Sequence, residues 1–202
     1  NNSTSASFFE NQPIGTLITD FNATDPDVNA TLSYSISGPN AHLFIIDQNG
    51  TLFTHAIFDF ETNASVYNLS VRVTDEHNAT QQISRNIILK NINESPTLLS
   101  LSNNTLLENQ PAGTVVGDFN ATDPDANATL NYALVDGNGS TGNLFFNLDT
   151  NGTLKSAAVF DYENNESNYS IRVQVRDEHN TSLEKTFVIN LLNEIEDLDS
   201  DG

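Results

Sequence analysis

Between residues 67 and 74, Tyr67, Leu69, Val71 and Val73 alternate with Asn68, Ser70, Arg72 and Thr74. That period of two predicts a strand with one face in a core. Tyr169, Ile171, Val173 and Val175 alternate in the same way in the second half of the chain. Residues 31–36 place Leu32, Tyr34 and Ile36 on one face, and 83–89 and 186–192 read as further strands. A short apolar run at 43–46 is followed by Asp47-Gln48-Asn49-Gly50 and then by Thr51-Leu52-Phe53. Asn-Gly between two apolar runs is a strong hairpin signal. No stretch carries a 3.6-residue apolar period. About seven short strands per 100 residues, separated by turn signals, predict an all-β chain of Greek-key β-sandwiches.

The pattern occurs twice. FENQPIGTLI at 9–18 matches LENQPAGTVV at 107–116, and DFNATDPD stands identically at 20–27 and 118–125. NATL, NGTL, FDFE/FDYE and DEHN then follow in the same order in both halves. Two homologous modules are implied, with the first and its linker over 1–94, the second over 95–195, and an acidic tail over 196–202. The spacing drifts within the Gly-, Ser- and Asn-rich residues 136–143, and a second drift is expected after DEHN; both read as loops. The joint Asn91-Ile92-Asn93-Glu94-Ser95-Pro96 is short, and Pro96 restricts Ser95 to extended conformations. It predicts modules set end to end.

Composition narrows the chemistry. The 202 residues carry 27 Asp or Glu against 7 Lys or Arg, a net charge of −20. Nucleic acid and anionic membrane surfaces would repel such a chain, whereas hard cations would not. The absence of Cys removes disulfides, zinc thiolates and cysteine nucleophiles. Twelve Phe and five Tyr supply cores. With neither Met nor a leader at residue 1, and no apolar run long enough to span a bilayer, the chain reads as an internal piece of a longer protein. Catalysis is not expected. His42, His55, His77 and His179 form no metal-spaced pair, no G-x-S-x-G elbow occurs, and the carboxylate pairs recur in both modules without a Trp-lined cleft.

The acids cluster at strand ends and turns. The first module has Glu10, Asp25 and Asp27, Asp59 and Glu61, and Asp75 and Glu76; the second has Glu108, Asp123 and Asp125, Asp161 and Glu163, and Asp177 and Glu178. Gathered carboxylates repel, by roughly 4 kcal/mol for a pair ~4 Å apart at an effective dielectric of ~20. Ca²⁺ suits them, because it takes 6–8 oxygens in irregular geometry. Mg²⁺ demands stricter octahedra, and transition metals favour His or Cys.

ENQPIGT and ENQPAGT, the DPD loops followed by L-x-Y, FDFE and FDYE, TDEH and RDEH, and the joint NINESP together resemble tandem cadherin repeats, in the form found in prokaryotic surface proteins. The resemblance covers nearly the whole chain and implies two cadherin-type, immunoglobulin-like sandwiches. It further implies an extracellular, cell-surface calcium-binding segment in which Ca²⁺ between consecutive repeats rigidifies a rod. The implied ligands are Glu10, Asp59 and Glu61, then Asn91, Asn93 and Glu94 of the joint, then Asp123, Asp125 and Asp177. Incomplete sets are implied at Asp25, Asp27 and Asp75, and at Glu108, Asp161, Glu163 and Glu194. Asn91 stands where the family usually has Asp, the DPD loop is shorter than usual with Asn127 as a candidate oxygen donor, and the absence of Trp argues against Trp-anchored strand exchange. Neighbouring repeats are the implied partners; a homophilic or glycan partner, or service as a binding module of a large secreted protein, is the alternative.

Two features stand apart. Asp197-Leu198-Asp199-Ser200-Asp201-Gly202 resembles the first half of a calcium loop, but also suits a plain acidic tail. Seventeen Asn-x-Ser/Thr sequons occur, where chance pairing of 29 Asn with 38 Ser or Thr gives about five or six. They are compatible with N-glycosylation and equally with an Asn- and Thr-rich chain that is never glycosylated.

Overall fold

The computed structural model describes residues 5–194. The chain divides into two compact units, one ending at Ile92 and the other beginning at Asn93. This division falls two residues before the sequence-based one, and hydrogen bonds explain it: Asn93 bonds to Asp177 and Thr181, and Glu94 to Asp125, all in the second unit. Residues 196–202, with the calcium-loop-like segment, lie outside the described residues.

The first unit contains β1 (Ala6–Phe9), β2 (Leu17–Asp20), β3 (Ser33–Ser37), β4 (Phe44–Ile46), β5 (Thr51–Thr54), β6 (Val66–Thr74) and β7 (Thr80–Lys90). One sheet runs β1-β7-β6-β3 and the other β2-β5-β4. β1 lies parallel to β7; the other pairs are antiparallel. Period-two alternation sends Tyr67, Leu69 and Val71 of β6 inward, where all three are buried. Phe8, Phe44, Phe58 and Tyr67 pack with ring centroids 4.8–6.1 Å apart, mostly edge to face. Each such aromatic stabilises the fold by roughly 2–3 kcal/mol through the area it removes from water. The Asn49-Gly50 turn is present: Asp47 Oδ1 accepts the N–H groups of Asn49 and Thr51, each at 2.9 Å, and Gly50 adopts φ +88°.

The second unit contains β8 (Leu98–Leu101), β9 (Thr105–Leu107), β10 (Val115–Thr122), β11 (Asn131–Leu134), β12 (Phe146–Leu148), β13 (Thr153–Ser156), β14 (Asn168–Arg176) and β15 (Ser182–Leu192). Its sheets run β11-β14-β15-β9 and β12-β13-β10-β8. Both units are therefore β-sandwiches. The length change at 136–143 falls in the loop leading to a 3₁₀ turn at Asn143–Phe145. The drift expected after DEHN does not occur. β7 and β15 are both 11 residues long and begin two residues after Asn78 and Asn180. Those Asn residues make the same left-handed turn, φ 67° and 72°.

The two copies of DFNATDPD differ in the extent of strand described. In the second unit β10 continues through Thr122, because Phe119–Thr122 pairs with β8 and Leu99 of β8 is buried. In the first unit β2 stops at Asp20; residues 1–3, which stand in the place of β8, lie outside the described residues.

Candidate metal centre

Glu10 follows β1 directly and is fully buried, 0% exposed. Its Oε2 accepts the Phe60 N–H at 2.6 Å and its Oε1 accepts the Ile92 N–H at 2.8 Å. One carboxylate thus ties together the opening motif, the FDFE loop and the residue beyond β7's end. In that loop Asp59 Oδ1 accepts the N–H groups of Glu61 (3.0 Å) and Thr62 (3.1 Å), while the Asp59 N–H donates to Asn63 Oδ1. This turn brings an oxygen of Glu61 within 4.8 Å of one of Glu10. Asn91, next along from β7, is exposed.

The second unit repeats the arrangement. Glu108, 1% exposed, accepts the N–H groups of Tyr162 at 2.6 Å and Glu194 at 2.8 Å. Asp161 accepts from the Asn164 backbone and side-chain amides, and its own N–H donates to Asn165 Oδ1. Oxygens of Glu108, Asp161 and Glu163 lie within 4.8 Å of one another. Glu194 takes the place of Ile92 and contributes its backbone N–H. Asn193, in the place of Asn91, donates from Nδ2 to Glu163 at 2.7 Å.

A different acid set surrounds Asn93 and Glu94. Asp177, 3% exposed, accepts the N–H groups of His179 (2.9 Å) and Thr181 (2.8 Å) on Oδ1. Its Oδ2 accepts Asn93 Nδ2 at 2.7 Å and the Thr181 hydroxyl. Burial alone would raise this carboxyl's pKa, but the Thr181 hydroxyl, the Asn93 amide and the two backbone N–H groups outweigh it and hold the group at about 2. The Glu94 N–H donates to Asp125 Oδ2 at 2.7 Å, and the Asp125 N–H to Asp123 Oδ1 at 3.0 Å. Asp123 Oδ2 is buried with no hydrogen-bond partner. Burial pushes the Asp123 pKa up, and the neighbouring charges of Asp125, Asp177 and Glu178 add to the rise.

The first unit carries the equivalents. Asp25 Oδ1 accepts the Asp27 N–H at 2.9 Å, and Asp75 Oδ1 accepts from His77 and Ala79, both at 2.8 Å. Glu76 and Glu178, grouped by sequence with the other acids, act as staples: they accept the N–H groups of Thr31 (2.8 Å) and Thr129 (2.7 Å), closing the DPD loops. Sequence reasoning missed Thr181, Asn63 and Asn165. The only available signal was their fixed spacing from an acidic turn residue, four positions after Asp177, Asp59 and Asp161.

Chemically, these sets offer carboxylate, amide and carbonyl oxygens, and the close group Glu108, Asp161 and Glu163 contains no His or Cys, a composition matched to a hard cation. The model of the cadherin domain matches residues 4–90 and again 103–192. The chain belongs to the cadherin family. Cadherin domains are adhesion modules, not enzymes. The chain is 37% identical over 195 residues to human Protocadherin Fat 4, an alignment covering 90% of the chain and 4% of that protein. It is 30% identical over 185 residues to the Drosophila melanogaster Protocadherin-like wing polarity protein stan, covering 84% and 5%. Human Protocadherin-24 EC1-2 (Form II) superposes with TM-score 0.76 at 25% identity over 96% of both chains. This cadherin chain therefore spans only about one twentieth of the length of these curated relatives. No helix among its described residues is long and apolar enough to cross a membrane.

Proposed function

We propose that this cadherin segment is an extracellular, cell-surface adhesion or structural element rigidified by Ca²⁺ bound between its two repeats. In this reading Glu10, Asp59 and Glu61 of the first repeat, with Asn91, Asn93, Glu94, Asp123, Asp125 and Asp177, supply the oxygens. Asp25, Asp27 and Asp75, and separately Glu108, Asp161 and Glu163, are sets awaiting neighbouring repeats of a longer chain.

The carrying observation is Asp123 Oδ2, a buried carboxylate oxygen without a hydrogen bond. Buried polar atoms are rarely left so, since desolvation goes uncompensated. Here three further acids raise the cost of its charge. A divalent cation offsets both penalties at once. Asn93 fits as well: its Nδ2 is turned inward to Asp177, Thr181 and the Glu94 carbonyl, leaving the side-chain oxygen for a cation. The chain's share is to fix these oxygens on turns anchored to the sandwich, so that a bound ion immobilises the joint.

Calcium titration of the whole chain by calorimetry tests this. Saturable binding that weakens at least tenfold in Asp125→Ala and in Asp123→Asn is expected. An absence of binding heat at millimolar Ca²⁺, or an isotherm unaltered in both variants, would refute it.

A further inference from the structure

Among the described sequons, Asn68-Leu69-Ser70 is the one whose hydroxyl the fold leaves buried and unused. The segment lies on β6, with Leu69 in the core and Asn68 exposed on the outward face. Ser70 sits between Ser37 of β3 and Ser84 of β7, yet its Oγ is buried without a hydrogen-bond partner. A buried hydroxyl of this kind destabilises the folded state, and Ala would remove the penalty. The sequon on the corresponding strand of the second repeat, Asn168-Tyr169-Ser170 on β14, has a structural use for its hydroxyl: Ser170 Oγ donates to the Gly139 carbonyl at 2.9 Å. At the position equivalent to Ser70 the second repeat carries Arg172, paired with Glu184 at 2.7 Å. Nothing in the first repeat calls for a hydroxyl at residue 70.

We propose that Asn68 is an N-glycan attachment site and that Ser70 is retained for recognition before the strand folds. In an extended, unfolded chain both side chains are accessible. The Asn68 amide nitrogen attacks the anomeric carbon of a polyprenyl-diphosphate-linked oligosaccharide. The N–C bond forms, the C–O bond to the diphosphate breaks, its electron pair leaves with the diphosphate, and one amide proton is released. Folding then covers the Ser70 hydroxyl, whose use is over, while Asn68 stays exposed. The modified amide keeps one N–H, enough to maintain its bond to Asn86 Oδ1, now 3.1 Å long. Asn93-Glu94-Ser95 is the contrasting sequon. Its Nδ2 bonds to Asp177, the Glu94 carbonyl and Thr181, so a sugar there is incompatible with the second repeat's fold.

The test is secretion of the whole chain from a eukaryotic host, followed by peptide-N-glycosidase release in ¹⁸O water and peptide mass spectrometry. Asn68 should be recovered as ¹⁸O-labelled Asp and Asn93 as Asn. Ser70→Ala should abolish labelling at residue 68 and Ser70→Thr should keep it. In unglycosylated protein from bacteria, measured in chelator, Ser70→Ala should leave the melting temperature unchanged or raised. Unlabelled Asn68 in the wild type overturns the proposal. So does labelled Asn93 in folded protein, or a Ser70→Ala variant that melts markedly lower, since the hydroxyl would then have a structural role. None of these readouts depends on calcium.

Discussion

Replacing Glu10 with Gln should damage the first repeat even with no metal present. The carboxylate gives one oxygen to the Phe60 N–H and the other to the Ile92 N–H, at 2.6 and 2.8 Å, with the side chain fully enclosed. Gln keeps a single acceptor. Its NH₂ must then face a backbone N–H, donor against donor. One hydrogen bond to a charged group, about 1.5–3 kcal/mol, is lost, and a buried backbone donor is orphaned. The expected cost is therefore about 2–4 kcal/mol. A repeat of this size melts roughly 4–8 °C lower per kcal/mol, so the first repeat's transition should fall by at least ~8 °C. Thermal unfolding of the whole chain in chelator measures this free of any binding term. Glu108→Gln should cost the second repeat a similar amount, because Tyr162 and Glu194 stand at the same 2.6 and 2.8 Å. A shift under ~3 °C in either variant would show that these carboxylates do not hold the loops as argued.

Other outcomes follow from the same geometry. Asp177 is held at about 2 in the fold, below its ordinary value near 3.9, so its contribution is complete above about pH 4 and lost as the pH falls toward 2. Acid melting in chelator should show that slope for the second repeat, and Thr181→Val should flatten it. Gly50→Ala puts a Cβ 2.3 Å from the Phe21 carbonyl oxygen at φ +88°, and Gly152→Ala one 2.7 Å from that of Phe119 at φ +101°. Each should destabilise its repeat by roughly 2 kcal/mol or more, read by urea unfolding; a neutral substitution would discount the turn argument. Glutamyl endopeptidase should cut after Glu94 much faster in chelator than in millimolar Ca²⁺, and equal rates would count against calcium at the joint.

Much of the fold was legible because a strand with one buried face writes its alternation directly into sequence, as at Tyr67-Leu69-Val71 and Tyr169-Ile171-Val173. The octapeptide DFNATDPD marks the limit. Its second copy continues as strand to Thr122 because β8 lies alongside it, a neighbour that the octapeptide itself does not spell. The acids of the candidate centre were legible as repeated clusters. Their division of labour was not. Nothing in the spelling of Glu10 or Glu76 distinguishes a carboxylate that clamps backbone amides from one left bare like Asp123 Oδ2. That distinction arises from contacts between residues far apart in the chain, such as Glu10 with Ile92, 82 positions on.

The parallel pairing of an early strand of each repeat, β1 or β9, with its last has a mechanical consequence. Ala6–Phe9 runs alongside residues 87–90, and 105–107 alongside 190–192, in the same direction. Tension applied through the two ends of a repeat drags these strands past one another lengthwise. Their cross-strand bonds are then loaded together instead of parting one at a time from an end. A repeat so built yields at higher force than a hairpin peeled from its tip, a useful property for a segment that transmits load along a chain.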